Sequence, residues 1–324
     1  MTFVGTCFIC SHALYIWADA AGFEKITNMR TVFPAHYPMT AKSFLSNHGW
    51  LDSVTVKGQG TSTSNINYPL TKIEAEDKTE YNNIITIMLQ GVSYSDLSAE
   101  NTPNLLKLKQ ENISFENHYA PYQSIRDNLF AVWFGLPIQY QEAFTSHKIE
   151  SVAVDEFMRD EYLIRLFFTG IDKKSEFAEY IRELSGIHSD KISNHSSNQE
   201  MFRSTLDFIE KNSDNRLAVY VTASPELSIS PNREQFERRL HEIDRQLGAF
   251  ISRLDEMGVK EHTMFMISSL SGSIATMAPK SSFSMAHQHV PFIVITPQNT
   301  LKGVSKSVLT SHFDINPTAS IEIL

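Results

Sequence analysis

The stretch Ile84-Ile85-Thr86-Ile87-Met88-Leu89 is an almost unbroken apolar run that stops short of Gly91. A strand with one wet face alternates apolar and polar side chains, so a run without alternation fits a strand buried on both faces of a parallel sheet. Downstream, Thr102 and Pro103 supply an N-cap and a first-turn proline, and Leu105, Leu106 and Leu108 begin a helix. The pattern predicts a strand-loop-helix unit.

Similar units recur. Leu217 to Thr222 is a second strand candidate, and Arg233 to Met257 places Phe236, Leu240, Ile243, Leu247, Ile251 and Leu254 on one helical face, with Gly258 as a C-terminal stop. Met264 to Ser268 and Pro291 to Thr296 read as a third and a fourth strand, while the polar run Asn194 to Gln199 reads as a loop. The expected fold class is α/β, a mostly parallel sheet flanked by helices. Ligands in such sheets gather at the carboxyl ends of strands. That directs attention to Gln90–Tyr94, the Ser124 region and Ser269–Gly272.

The chain has 324 residues, 42% of them hydrophobic and 20% charged, which disfavours disorder and coiled coil and leaves a globular α/β or α+β protein. With 28 Lys and Arg against 37 Asp and Glu, its net charge of −9 is repelled by phosphate backbones, so no nucleic-acid partner is expected. There is no GxSxG elbow, GxGxxG fingerprint, P-loop or HExxH motif.

Phe3 to Trp17 carries no formal charge, and the chain turns polar at Asp19. A complete transmembrane helix takes about 20 residues. The stretch therefore reads as the end of a span that began upstream of Met1, with Tyr15 and Trp17 in the interfacial aromatic belt. A signal-peptide core fits Ala18-Asp19-Ala20 but lacks the basic start, and a buried soluble helix is the bland alternative. Cys7 and Cys10 sit inside this apolar stretch, where packing explains them better than redox or metal chemistry.

From Glu24 to Lys57, Lys25, Arg30, Lys42 and Lys57 outweigh Glu24 and Asp52, a local excess of positive charge in an acidic chain. Basic residues beside anionic lipid gain about 1 kcal/mol each, so this segment suits a headgroup surface as well as it suits a solvated linker. Gly58-Gln59-Gly60-Thr61-Ser62-Thr63-Ser64 reads as a flexible connector ahead of the main domain.

The motifs QGVSYS (Gln90–Ser95), TPNLLKLKQENISFENHYAP (Thr102–Pro121), HEIDRQLGAFISRLDEMGVKEHTMFMISS (His241–Ser269), HVPFIVITP (His289–Pro297) and SHFDINPT (Ser311–Thr318) together resemble the alkaline phosphatase and sulfatase superfamily. SHALYIWADAAGFEKIT, YPMTAKSFLSNHGWLD and QSIRDNLFAVWFGLP narrow the likeness to the YejM/PbgA family of Gram-negative inner-membrane proteins. The resemblance implies a partial transmembrane helix over 1–18, a juxtamembrane linker over 19–80, and a C-terminally truncated sulfatase-like domain over 81–324. It also implies an inner-membrane location with the soluble domain in the periplasm.

Active members of that superfamily attack a phosphate or sulfate ester with Ser, Thr or modified Cys beside divalent metals. The family's Asp after the first strand falls here on Gln90, and its Asp-His pair falls on Leu270 and Ser271. Leucine cannot ligate a metal, and an amide brings no charge. His287 and His289, just before Val290-Pro291, are either ordinary loop residues or one remnant of the old site. With the carboxylates gone a dication keeps little binding energy, so no cofactor is expected and the hydrolytic site is expected to be lost.

Ser124 occupies the nucleophile position, and three readings stay open for it: a helix N-cap, a vestigial anion pocket, or a working nucleophile. Arg126 either meets a phosphate or bridges to Asp96, Asp127 or Glu100.

The resemblance further implies a binding function. The family senses lipid A or lipopolysaccharide and regulates its synthesis through the LapB adaptor and the FtsH protease, which degrade LpxC. The implied lipid contact is Tyr37-Pro38-Met39-Thr40-Ala41-Lys42-Ser43-Phe44, with Lys42 on a phosphate. Lys42-Ser43 stands where family members often carry two basic residues, so the affinity is expected to be weaker or shared with Lys25 or Arg30. The competing reading is a metal-dependent phosphohydrolase or headgroup transferase using Ser124, with Mg, Mn or Zn held by His287 and carboxylates elsewhere.

Overall fold

The computed structural model describes residues 6, 11–17, 41, 68, 83–147, 149–169, 180, 187, 189–223, 232–273, 285–297 and 302–320. The chain divides into two compact units, Met1–Lys72 and Ile73–Leu324. In the first, residues 11–17 are helical, with Leu14 and Trp17 exposed. Among the described residues no helix is long and apolar enough to cross a membrane.

The second unit is built on an eight-stranded sheet. Its strands are β1 (Asn83–Leu89), β2 (Ile113–Tyr119), β3 (Leu163–Thr169), β4 (Ile192–His195), β5 (Leu217–Thr222), β6 (Thr263–Ser269), β7 (Phe292–Ile295) and β8 (Ser305–Ser311). They lie in the order β4-β3-β5-β1-β6-β7-β2-β8. All neighbours are parallel except β7, which runs against both β6 and β2. The sheet is therefore mostly parallel, as the apolar runs predict, and every residue of β1, β5 and β6 is buried.

Helices cover both faces. The ones that matter for the site are α1 (Pro103–Glu111), α2 (Ile125–Phe134), α5 (Asn198–Lys211) and α6 (Arg233–Glu256), with α3 (Gln141–His147) and α4 (Val152–Arg159) between them in sequence. On one face Ile85, Ile87 and Leu89 join Val219, Val221, Phe265 and Ile267 beneath α5 and α6. All six apolar residues read as the face of α6 are buried, and Gly258 after its end has φ +70°, a left-handed stop that favours glycine. On the other face Trp133 of α2 packs against Tyr220 of β5 with ring centroids 4.4 Å apart.

Two local expectations are corrected. Asn194 and His195 end β4, and Asn198 and Gln199 open α5, so Asn194 to Gln199 is not a loop throughout. Ser197 caps α5 by accepting from the Glu200 N–H at 3.2 Å, a capping signal hidden in a polar run. Thr102 does stand before α1, but its hydroxyl accepts from Ser98 N and donates to the Asp96 carbonyl instead of capping the helix. The first free N–H groups of α1 go to Asp244 of α6: Asn104 N at 3.0 Å and Leu105 N at 2.8 Å, with the Asn104 amide at 2.8 Å.

Candidate functional site

The carboxyl ends of β1, β2 and β6 converge with the segment leading into β7. Backbone hydrogen bonds tie them together: Gly91 N and Val92 N donate to Ser271 O, Tyr94 N to His289 O, Ala120 N to Gln288 O, and Gly272 N to His287 O. Two glycines are obligatory here for different reasons. Gly91 has φ +83°, and a Cβ on Gly272 would lie 2.4 Å from His287 O and 2.5 Å from Ser93 Oγ. Serines then close the gaps. Ser93 Oγ accepts from Ser273 N at 2.9 Å, while Ser269 Oγ donates to Ser271 O at 2.7 Å and accepts from Val92 N at 3.2 Å.

Ser124 stands at the N-terminus of α2, exposed, with its hydroxyl accepting from Asp127 N at 3.4 Å. That is capping geometry, and it leaves the hydroxyl open to solvent. Arg126 makes none of the three bridges weighed from sequence among the described residues. Its guanidinium lies 4.3 Å from the Tyr180 ring centroid instead, and the Tyr180 hydroxyl donates to the Arg126 carbonyl. Burial pushes the Tyr180 phenol upward, so it stays neutral and remains a donor.

Gln90, Leu270 and Ser271 do meet at the strand ends, and all three are buried. Leu270 is fully buried, and its carbonyl accepts from Asn128 Nδ2 at 2.7 Å. The same Asn128 side chain donates to Tyr122 O and accepts from Tyr122 N, which ties the Ser124 loop to the end of β6. The sequence reading passed over Asn128, whose only signal is an amide four residues after the capping serine.

A hydrolytic dication needs hard anionic oxygen. The residues at these positions provide a neutral amide, a hydrocarbon and a hydroxyl. The nearby Asp96 carboxyl already accepts from Ser93 N at 2.8 Å, and burial shifts its pKa upward. Among the described residues no three His, Cys, Asp or Glu side chains are grouped to hold a metal. Among the described residues, Gln90, Leu270 and Ser271 offer no anionic oxygen to a dication.

The histidines are used in other ways. His289 is stacked between Tyr94 and Tyr119, at 4.3 and 4.9 Å, and Lys109 sits 4.5 Å above Tyr94. His289 Nε2 donates to Glu116 O at 2.7 Å. His287 is buried with Nδ1 lacking a hydrogen-bond partner, and desolvation lowers its pKa. Two further histidines, His118 and His312, are fully buried with rings 5.3 Å apart. His312 Nε2 donates to Ser269 O at 3.1 Å, and its Nδ1 lies 3.4 Å from Tyr119 O. Both histidines sit in motifs already noted in the sequence, HYAP and SHFDINPT, but nothing in the spacing marks them as a pair. The linker residues Tyr37, Pro38, Met39, Thr40, Lys42, Ser43 and Phe44 lie outside the described residues.

Residues 1–75 match the family model of a domain of unknown function, DUF3413. Inner membrane protein YejM of Salmonella typhi is 25% identical over 98% of this chain and 55% of its own length. An uncharacterized protein of Haemophilus influenzae is 28% identical over 83% of this chain and 46% of its own. The chain thus spans about half the length of the curated relatives it matches. Among solved structures, a protein in the alkaline phosphatase superfamily from Vibrio parahaemolyticus aligns with a TM-score of 0.59 at 16% identity, covering 75% of this chain and 66% of that one. The putative sulfatase yidJ from Bacteroides fragilis aligns with a TM-score of 0.58 at 14% identity, covering 76% and 75%. At those identities the likeness shows the fold.

Proposed function

The chain is homologous to the YejM inner membrane proteins along nearly its whole length and has a sulfatase-like fold, and from that premise we propose that it binds lipid A at a membrane surface and no longer hydrolyses esters. In this reading it is an inner-membrane protein whose sulfatase-like domain faces the periplasm. The linker Tyr37–Phe44 engages the lipid, and occupancy is relayed to a LapB-type adaptor that sets the rate of lipopolysaccharide synthesis.

One observation carries the loss of catalysis. Leu270, which the family resemblance sets where active members carry a metal carboxylate, is fully buried, and its carbonyl is held by the buried Asn128. A hydrocarbon there gives a dication nothing to replace its water shell, and Gln90 adds no charge. The hydrogen bonds of Asn128, Ser93 and Ser269 hold the loops in place of the cross-link a metal would make.

The experiment is metal analysis with phosphatase assay on the full chain and its Ser124→Ala variant. Less than stoichiometric Mg, Mn or Zn is expected, with no turnover that depends on Ser124. Stoichiometric metal together with turnover abolished by Ser124→Ala would reject binding-only function in favour of a phosphohydrolase or headgroup transferase.

The lipid contact has its own test. A lysine near anionic headgroups contributes about 1 kcal/mol, and reversing it adds repulsion of similar size, so Lys42→Glu is expected to weaken retention on lipid A vesicles roughly tenfold or more. Unchanged retention removes the linker from the proposal.

A further inference from the structure

His312 opens the short 3-10 turn His312–Asp314 that follows β8, and its side chain is driven inward with no solvent exposure. The imidazole reaches two strands at once. Its Nε2 is 3.1 Å from the carbonyl of Ser269 at the end of β6, and its Nδ1 is 3.4 Å from the carbonyl of Tyr119 at the end of β2. A neutral ring carries one N–H and serves one of these carbonyls, while the cation that could serve both is the form that burial disfavours.

The surroundings give a positive charge no compensation. His118 of β2 is also fully buried, with its ring centre 5.3 Å away, its Nδ1 3.0 Å from Thr310 Oγ1 and its Nε2 without a hydrogen-bond partner. Phe292 of β7 covers His118 at 4.6 Å. The third imidazole of the group, His289, is enclosed by the rings of Tyr94 and Tyr119 and engaged with Glu116 O. Among the described residues the carboxylates of these elements are turned elsewhere: Asp314 accepts from Ser311 N at 2.7 Å, and Glu116 accepts from Ser305 Oγ at 2.7 Å. Lys306, the one charge of β8, pairs in register with Phe115, far down the strand from Thr310.

We propose that His312 is an acid-released bolt: as a neutral imidazole it pins the turn to the carboxyl ends of β2 and β6, where the candidate site is built, and on taking a proton it leaves and frees that side of the site. Such a bolt works whatever the site binds. The release is local, because beyond the turn Ile315 is fully buried and Asn316 donates to Trp133 O at 3.0 Å and accepts from the Tyr220 hydroxyl at 3.3 Å. In water an imidazole titrates near 6.5, whereas burial holds this one down to about 4. Between those values the open turn binds a proton that the closed turn refuses, so each pH unit downward multiplies the opening constant by about ten.

The experiment is hydrogen exchange by mass spectrometry on the full chain from pH 7.5 to 4.5, with rates corrected for the pH dependence of unprotected amides. Amides of Ser311–Asn316 are expected to be less protected than those of β1 and β5, and to lose roughly 50- to 100-fold of their protection across that range. In His312→Gln, which keeps a donor for Ser269 O and cannot titrate, the loss is expected to shrink to about threefold or less. Amides of β1 and β5 in the same samples report whether the variant keeps its fold, and the parent alone tests whether release is local. The proposal is overturned by equal protection of the turn and of β1 and β5, which makes release a matter of unfolding the whole unit. It is overturned equally by a loss below about fivefold in the parent, or by an undiminished loss in a folded His312→Gln.

Discussion

Asp244→Ala is expected to lower the unfolding free energy of the sheet-containing unit by about 3 kcal/mol or more, since three hydrogen bonds to a charged group are lost together. Asp244 has no solvent exposure and sits in the middle of α6, on the same stripe as Leu240, Ile243 and Leu247. Its two oxygens accept from Asn104 N, Leu105 N and the Asn104 amide, at 2.8 to 3.0 Å. Pro103 brings no N–H, so these are the first donors α1 has, and the carboxylate also faces the positive end of the helix. Alanine leaves those donors buried beside a small void.

One turn further along α6, Gly248 makes the contact possible, because a Cβ there would lie 2.4 Å from the Asn104 side chain. Urea unfolding followed by the fluorescence of the buried Trp133 measures the effect. A double-mutant cycle with Asn104→Ala isolates the amide's share, expected at about 0.5 to 3 kcal/mol of coupling. A loss below about 0.5 kcal/mol in Asp244→Ala, the size of an ordinary surface change, would remove the carboxylate as the cap of α1.

That contact marks the limit of what sequence patterns disclose. The strands β1, β5 and β6 are legible because central parallel strands are buried on both faces and leave unbroken apolar runs. The long helix is legible from its threes and fours. Asp244 within its apolar stripe is a visible anomaly, yet its partner lies 140 positions away in sequence, and no local rule links them. The outer strands escape for the opposite reason. Ile113–Tyr119 and Ser305–Ser311 carry Ser, Glu, Asn, His, Lys and Thr because they lie at one side of the described sheet, where burial is partial and the pattern dissolves.

The place of the site is legible from the strand ends, and the roles of its residues only by resemblance. Gln90, Leu270 and Ser271 are brought to the same strand ends and Ser124 caps the helix that carries Asn128, but the groups that hold the loops, Asn128 and the serines at 93 and 269, are small polar residues indistinguishable in sequence from loop filler. Of the histidines, His289 looked like a ligand candidate and is occupied by two tyrosines, while the fully buried pair was not singled out.

That buried pair governs how the protein responds to acid. Burial holds the His312 imidazole down to about 4 and His118 well below its usual value, and the neighbouring imidazoles of His312 and His289 further disfavour a cation on His118. In the unfolded chain both titrate near 6.5, so between about pH 6.5 and 4 the unfolded state binds protons that the folded state refuses. Stability is therefore complete above about pH 6.5 and falls as the pH drops towards 4, by about 3 kcal/mol from His312 alone. Asp96 works the other way, since burial raises its carboxyl and folding favours the proton there. It offsets part of the loss only at the acid end.

The measurement is the unfolding free energy in urea from pH 7.5 to 4.5 for the parent and for His312→Gln, with ranges chosen to bracket the titration near 6.5. The glutamine amide can still donate to Ser269 O but cannot titrate. The variant is expected to start lower at pH 7.5, because it packs less well beside His118, and to show a distinctly flatter pH slope. Equal slopes in the two proteins would mean that His312 is not the group that resists the proton. The acid sensitivity would then have to be sought in two other buried histidines of the same unit, His118 and His287, through the same substitution.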